Sequence, residues 1–255
     1  MLFTREVLND AARACTGPKA ATGPGGIILL LTKALLECAM KAELLHLLGY
    51  QKNSPCEKQT ANRRNGMSPK TLWTDHGPIE IMIPRDRRRE FAPQIVPKHL
   101  RRWLGFSAKV ISIYACCATA SHIYDCLKDM YPKGASHDLI ARVAEEVKTL
   151  LGLLHNGKLE ATYPEVYFEE LISASDESGG PYSVFMAMAV REDGKRQLLG
   201  IWKQQRIAGQ EGQESQGADF WLGVLNQLKA RGAINIQKAV GRMGGFTEAM
   251  AAAYQ

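Results

Sequence analysis

The sequence predicts a multi-domain chain of mixed α+β and α/β class, with a helical first part and a second part in which strands and helices alternate. Three observations carry this. Apolar residues recur at helical spacing over Leu29 to Leu48, and again in three short runs between Lys109 and Leu151. Between them, Thr71 to Ile83 alternates as a hairpin does. From Val166 onward, β-favouring runs are interrupted by one clear amphipathic helix. With 255 residues, the chain can bury a sizeable core and hold one large domain or roughly two to three small ones.

Charge is unevenly placed. From Glu57 to Lys109 there are 12 Lys and Arg against 5 Asp and Glu, a local +7, whereas from Glu160 to the end there are 9 against 12, a local −3. This asymmetry fits a nucleic-acid-facing segment followed by a differently employed globular one, and equally a solvated basic face. The cysteines at 15, 38, 56, 116, 117 and 126 show no C-x-x-C pair and no histidine at zinc-finger spacing. A zinc site is therefore not expected, and reduced thiols in a cytoplasmic protein are. Ile27 to Leu31 is far short of a membrane span, and Arg5, Glu6, Asn9 and Asp10 precede any apolar run, unlike a signal peptide. No membrane partner is expected.

Taken in order, Met1 to Gly26 is broken by Gly17-Pro18 and Gly23-Pro24-Gly25-Gly26 and is expected to be loosely ordered. Leu29 to Leu48 reads as an amphipathic helix in need of a partner, stopped by Gly49. Residues 1–56 form the first unit. Gln51 to Met67 is polar, with Asn53-Ser54-Pro55 and Asn65-Gly66 as turns, and reads as a linker whose tip sets Arg63 and Arg64 toward phosphates. A hairpin follows, Thr71-Leu72-Trp73 turning near Asp75-His76-Gly77-Pro78 into Ile79 to Ile83. Next come Arg85, Arg87, Arg88 and Arg89, and further on Lys98, Arg101 and Arg102. Guanidiniums clustered at a hairpin's end suit a phosphate backbone, because each one set against a phosphate releases counterions. Residues 57–106 are thus expected to be a basic, DNA-contacting unit.

Lys109 to Cys117, Thr119 to Met130 and Ser136 to Leu151 each place apolar residues on one helical face. Thr119 or Ser121 would cap the second, and Ser136, followed by Asp138, the third. Short helix, short turn, short helix over 107–160 is the skeleton of a helix-turn-helix, in which Ser136, His137 and Arg142 would face DNA. A small helical bundle with no ligand fits the same spacing.

In the last unit, 161–255, strands are predicted at Val166 to Ile172, Tyr182 to Val190 and Arg196 to Trp202, the last two joined by the Asp193-Gly194 turn. Lys203 to Gly217 reads as a mobile loop. A helix over Ala218 to Arg231, a fourth strand over Ile234 to Val240 and a helix from Phe246 complete the order. Three strands, a helix, a fourth strand and a helix open an RNase H-like sheet, an architecture that sets metal-binding carboxylates on the first strand and at the end of the fourth. The first position meets Glu169 and Glu170, at the end of Tyr163 to Leu171. Carboxylates on a rigid strand can found a divalent-cation site, and are also what a solvated strand end looks like. At the end of the fourth strand, Val240-Gly241-Arg242 offers no carboxylate.

The chain resembles the bacterial Mutator-type insertion-sequence transposases from about Leu35 to the last residue. The likeness rests on Asn62-Arg63-Arg64-Asn65-Gly66, Gly77-Pro78-Ile79-Glu80-Ile81, Ile83-Pro84-Arg85-Asp86-Arg87, Phe91 to His99, Tyr163-Pro164-Glu165-Val166-Tyr167, Leu199-Gly200-Ile201-Trp202, Gly217 to Leu222 and Lys229-Ala230-Arg231-Gly232, all in the family's order. The resemblance implies a helix-turn-helix region followed by a truncated RNase H-like catalytic domain that uses Asp, Asp and Glu with magnesium or manganese. It further implies double-stranded DNA at insertion-sequence ends as partner, hence a nucleoid-associated protein. The family's first Asp falls on Glu169 and its second on Gly241, while its third carboxylate would lie beyond Gln255. A Glu for an Asp moves the ligand oxygens by about one methylene, and a Gly supplies no ligand. Glu169 alone is then the remaining metal ligand, and the chain is expected not to cleave DNA by itself. It would act as an inactive DNA-binding remnant or an inhibitor of an active transposase, or persist as an unstable remnant. A sheet stopped after its fourth strand is also expected to leave core surface uncovered, which invites a homo-oligomer.

Overall fold

The computed structural model describes residues 26–51, 61–115, 119–175, 180–205 and 214–254. Cys15, Cys56, Cys116 and Cys117, the expected loose order before Gly26, most of the polar linker after Gln51 and the centre of the loop expected over Lys203 to Gly217 lie outside them.

Helix α1 (Ile27–Leu48) ends as its sequence dictates, with Gly49 at φ 72 closing the last turn by donating its N–H to the Leu45 carbonyl. The expected amphipathic character is corrected. Ile27, Leu31, Leu35, Leu36, Ala39, Met40 and Leu48 are all buried, so the helix is wrapped on nearly every side and forms the axis of the first core. Its two buried carboxylates are used structurally. Glu37 accepts from the Met82 N–H at 2.9 Å, satisfying a donor on an edge strand. Glu43 accepts from the N–H groups of Gln94 and Ile95 and from the Tyr131 hydroxyl at 2.7 Å.

Strands β1 (Arg64–Thr74) and β2 (Gly77–Asp86) pair antiparallel from Arg64 opposite Asp86 to Thr74 opposite Gly77. The hairpin is longer than the alternation suggested, continuing through Pro69 and Pro84. Pro69, Pro78 and Pro84 are tolerated because, in a two-stranded ribbon, each strand pairs along its length on one side only. Asn65-Gly66, expected as a turn in a linker, lies instead within β1. Gly66 at φ 71 forms a bulge there, and the register shifts by one residue between Arg64 and Met67.

Helices α2 (Ser107–Ala115), α3 (Ala120–Lys128) and α4 (His137–Asn156) follow, with Thr119 and Ser136 as the observed N-caps of the last two. Helix α4 runs five residues beyond Leu151, because Leu150, Leu151 and Leu154 continue the buried stripe across Gly152. In the last part, β4 (Glu165–Ser175), β5 (Pro181–Val190) and β6 (Arg196–Gln205) form an antiparallel meander. The sheet order is β6-β5-β4-β8 with β8 (Ala239–Val240) parallel to β4. The single fourth strand expected over Ile234 to Val240 is split in two. β7 (Asn235–Ile236) pairs with β3 (Thr162–Tyr163), and β8 pairs with β4, the ladder breaking where Pro164 has no N–H to donate. Helices α5 (Glu214–Ala230) and α6 (Phe246–Ala253) complete the described chain.

The sheet is covered on both faces. Leu171, Val184, Met186, Met188 and Ile201 join the core built on α1 to α4. Phe168, Phe185, Ala187 and Leu199 pack on the other side against Trp221, Leu225 and Phe246 of α5 and α6. The expectation of uncovered core surface is therefore corrected for this sheet: β5 is buried from Tyr182 to Ala189. The architecture is mixed helix and sheet, as expected.

Candidate nucleic-acid interface and carboxylate positions

The basic segment is organised by two residues that carry no positive charge. Asn62 and Asp86 are buried, at 4% and 2% exposure, at the open end of the β1–β2 hairpin. Asn62 Nδ2 donates to Asp86 Oδ2 at 2.6 Å and to Glu90 Oε2 at 3.0 Å, while its Oδ1 accepts from the N–H groups of Arg63 and Arg88. Asp86 also accepts from the N–H groups of Glu90 and Phe91. Burial pushes the Asp86 carboxyl up, but these donors outweigh it and hold the group below its ordinary value. The turn between, Arg87 to Arg89, is thus pinned from beneath, and Arg89 is held at φ 60, a conformation a non-glycine residue seldom takes.

Arg85, Arg87, Arg88 and Arg89 are exposed around this clamp. Arg63 and Arg64 are half-buried and differ from them. The Arg63 guanidinium donates to the Asn62 carbonyl, and that of Arg64 donates to the Tyr50 carbonyl at 2.7 Å while lying 4.8 Å over the Tyr50 ring. Arg64 is therefore engaged in joining the end of α1 to β1. Lys98, Arg101 and Arg102 are exposed on a segment that runs beside β1: the Trp73 N–H donates to the Arg101 carbonyl and the Trp103 N–H to that of Trp73. Two polar anchors hold that segment. Lys70 Nζ donates to the carbonyls of Pro97 and Lys98, and the Asp75 carboxylate accepts from the Gly105 N–H and the Ser107 hydroxyl.

At the start of α4, Ser136 is spent on the cap, its hydroxyl accepting from the Leu139 N–H. His137 and Arg142 are exposed, and the His137 ring lies 4.8 Å from that of Tyr124 on α3.

The two carboxylate positions face apart. Glu169 is half-buried and pairs with Met186, whose side chain belongs to the helical core. Burial pushes its carboxyl up, with the Arg196 charge drawing it back. Gly241 follows β8, and a Cβ there would lie 2.9 Å from the Phe246 ring and 3.2 Å from the Met243 methyl, in the core on the opposite face. The space for a second ligand is filled with hydrocarbon. Magnesium or manganese held between these positions does not fit the residues present. Among the described residues, no three His, Cys, Asp or Glu side chains gather as a metal-holding group.

Sequence reasoning named the arginines and passed over Asn62 and Asp86. The signal was available: a lone Asp inside an arginine run is placed to accept from backbone as well as to pair with charge.

The mixed helix-and-sheet fold, with its basic ribbon and carboxylate-bearing strand, is that of a known family. Residues 3–255 match the model of the Mutator family of transposases. A probable transposase for insertion sequence element ISRM3-like of Sinorhizobium fredii is 36% identical over 257 residues, covering 100% of this chain and 61% of the relative. The transposase for insertion sequence element ISRM3 of Rhizobium meliloti matches to the same extent. The transposase for insertion sequence element IS905 of Lactococcus lactis is 26% identical over 80% of this chain and 51% of its own length. This chain belongs to the Mutator family of insertion-sequence transposases. It spans about three-fifths of the length of the first two relatives. No described helix is long and apolar enough to cross a membrane.

Proposed function

We propose that this chain binds double-stranded DNA at insertion-sequence ends through its basic ribbon, and does not cleave or join DNA by itself. The arginine turn carries the reading: consecutive exposed guanidiniums stand on a backbone fixed by Asn62 and Asp86, so the backbone that presents them is already ordered when phosphates arrive. Helix α4 contributes as the second helix of a helix-turn-helix, with His137 and Arg142 toward the major groove and Ser136 holding the helix end. The β6-β5-β4-β8 sheet is the opening of an RNase H-like catalytic domain. Its support is the topology: three antiparallel strands in sequence, then a fourth parallel to the first on that strand's free edge.

Loss of catalysis follows from chemistry. In-line displacement at phosphorus needs ions fixed by carboxylates from several elements. Here the second position has no oxygen, and its space holds Phe246. The test is a nicking assay with magnesium or manganese on a duplex ending in the element's terminal sequence, run beside a binding titration. Binding without cleavage is expected. Cleavage abolished by Glu169→Ala would overturn the inactivity, and absence of salt-dependent binding would overturn the DNA reading.

A further inference from the structure

Of the four tryptophans, Trp103, Trp202 and Trp221 are buried at 3%, 8% and 1% exposure, whereas Trp73 is 56% exposed. A large indole in water calls for an explanation, because burying it elsewhere would be favourable. It is not a loosely held side chain on a fraying end. The Trp73 backbone is bonded on both sides, to the Arg101 carbonyl at 2.9 Å and from the Trp103 N–H at 2.8 Å. Trp73 also stands opposite Pro78 in the hairpin and forms a parallel bridge with Arg102. Bridged residues send their side chains to the same face on strands about 5 Å apart. The indole and the Arg102 guanidinium therefore leave one surface side by side.

The surroundings set the chemistry. Lys98, His99, Arg101 and Arg102 are exposed on the adjoining segment, and Leu104 extends the apolar surface at 48% exposure. Asp75, in the turn beside Trp73, is engaged by Gly105 and Ser107, and Glu80 stands opposite Thr71 on β2. An aromatic face beside cations fits an unpaired nucleobase with its own phosphate. The base stacks on the indole, and the phosphate meets the guanidinium. Bases inside a duplex offer no free face.

We propose that Trp73 and Arg102 form a contact for an unpaired nucleotide, at the end of the ribbon remote from the arginine turn, on the order of 30 Å away along β1. This rests on the DNA reading above and adds to it. The arginine turn holds duplex phosphates, and the Trp73 end takes a strand that has left the duplex.

The test uses the full chain with two probes, a blunt duplex and the same duplex carrying a single-stranded thymidine extension. Since Trp73 is the one exposed tryptophan, the extended probe should quench intrinsic fluorescence more than the blunt one, and Trp73→Phe should remove that difference in signal. Trp73→Ala should weaken the extended probe by about tenfold and the blunt one by less than about twofold, and Trp73→Phe should restore part of the loss. Equal effects on both probes, or none, would overturn the proposal. So would quenching that grows with protein concentration in DNA-free samples, which would give this face to a second copy of the chain. If the unaltered chain binds neither probe, both the DNA reading and this proposal fail. If it binds both and Trp73→Ala changes nothing, only this proposal does.

Discussion

Asn62 Nδ2 donates to Asp86 Oδ2 at 2.6 Å, joining a residue just ahead of the hairpin's first strand to the last residue of its second. Both are buried, and together they hold four backbone N–H groups, those of Arg63, Arg88, Glu90 and Phe91. Replacing Asp86 by Ala removes the acceptor for two of these and for Asn62. The expected loss is about 1–3 kcal/mol in urea unfolding, with faster amide exchange at Glu90 and Phe91, because buried donors would be left without partners.

The same carboxylate sets a pH dependence. Its folded value lies below its ordinary one, so its contribution is present above the ordinary carboxylate range and is lost as pH falls through the folded value. The unfolding midpoint should therefore drop on acidification below about pH 4, and less steeply in Asp86→Asn.

Glu43 should behave in the opposite sense. Burial pushes its carboxyl up, against donors from Gln94, Tyr131 and Ile95, so its contribution is full at low pH and declines as pH rises through the raised folded value. Relative to Glu43→Gln, the natural chain should lose stability across that rise. Tyr131→Phe, which removes one donor and leaves two, is expected to cost about 1 kcal/mol in the same unfolding measurement.

Neutralising Arg87, Arg88 and Arg89 to Gln should lower duplex affinity and flatten its dependence on salt. The slope of log affinity against log salt should fall by about 0.9 for each guanidinium that neutralises a phosphate. A titration at several salt concentrations reads this directly. An unchanged slope would place the phosphate contacts elsewhere.

Gly241→Asp should destabilise the chain by about 1–3 kcal/mol in thermal unfolding, since its Cβ enters a space held by the Phe246 ring. It should not restore nicking, alone or with Glu169→Asp, because the two side chains leave the sheet toward different faces.

What was legible in the sequence was local. Gly49 and Ser136 marked helix ends, Thr119 is the cap where Thr119 or Ser121 was expected, and Asp193-Gly194 turned β5 into β6, because caps and turns depend on a few adjacent residues. The family was legible too, from motifs in order. Positions where partners arrive from afar were not. The apolar stripe on α1 resembled one face of an amphipathic helix, yet Glu37 and Glu43 on its polar side are buried by β2, residues 94–95 and Tyr131. Nothing adjacent to Arg64 marks it as engaged, because its partner Tyr50 comes from 14 residues away.

The sequence by itself determined the family, the alternation of elements, the run of arginines and the absence of an oxygen at Gly241, since each is a property of residue identity and spacing. The tertiary structure alone decided which charges meet solvent, that Asn62 and Asp86 hold the arginine turn, that Phe246 fills the space beside Gly241, and that Trp73 stands outside. Each of these depends on contacts between residues distant in the chain, and burial is set by what the completed fold brings against a side chain.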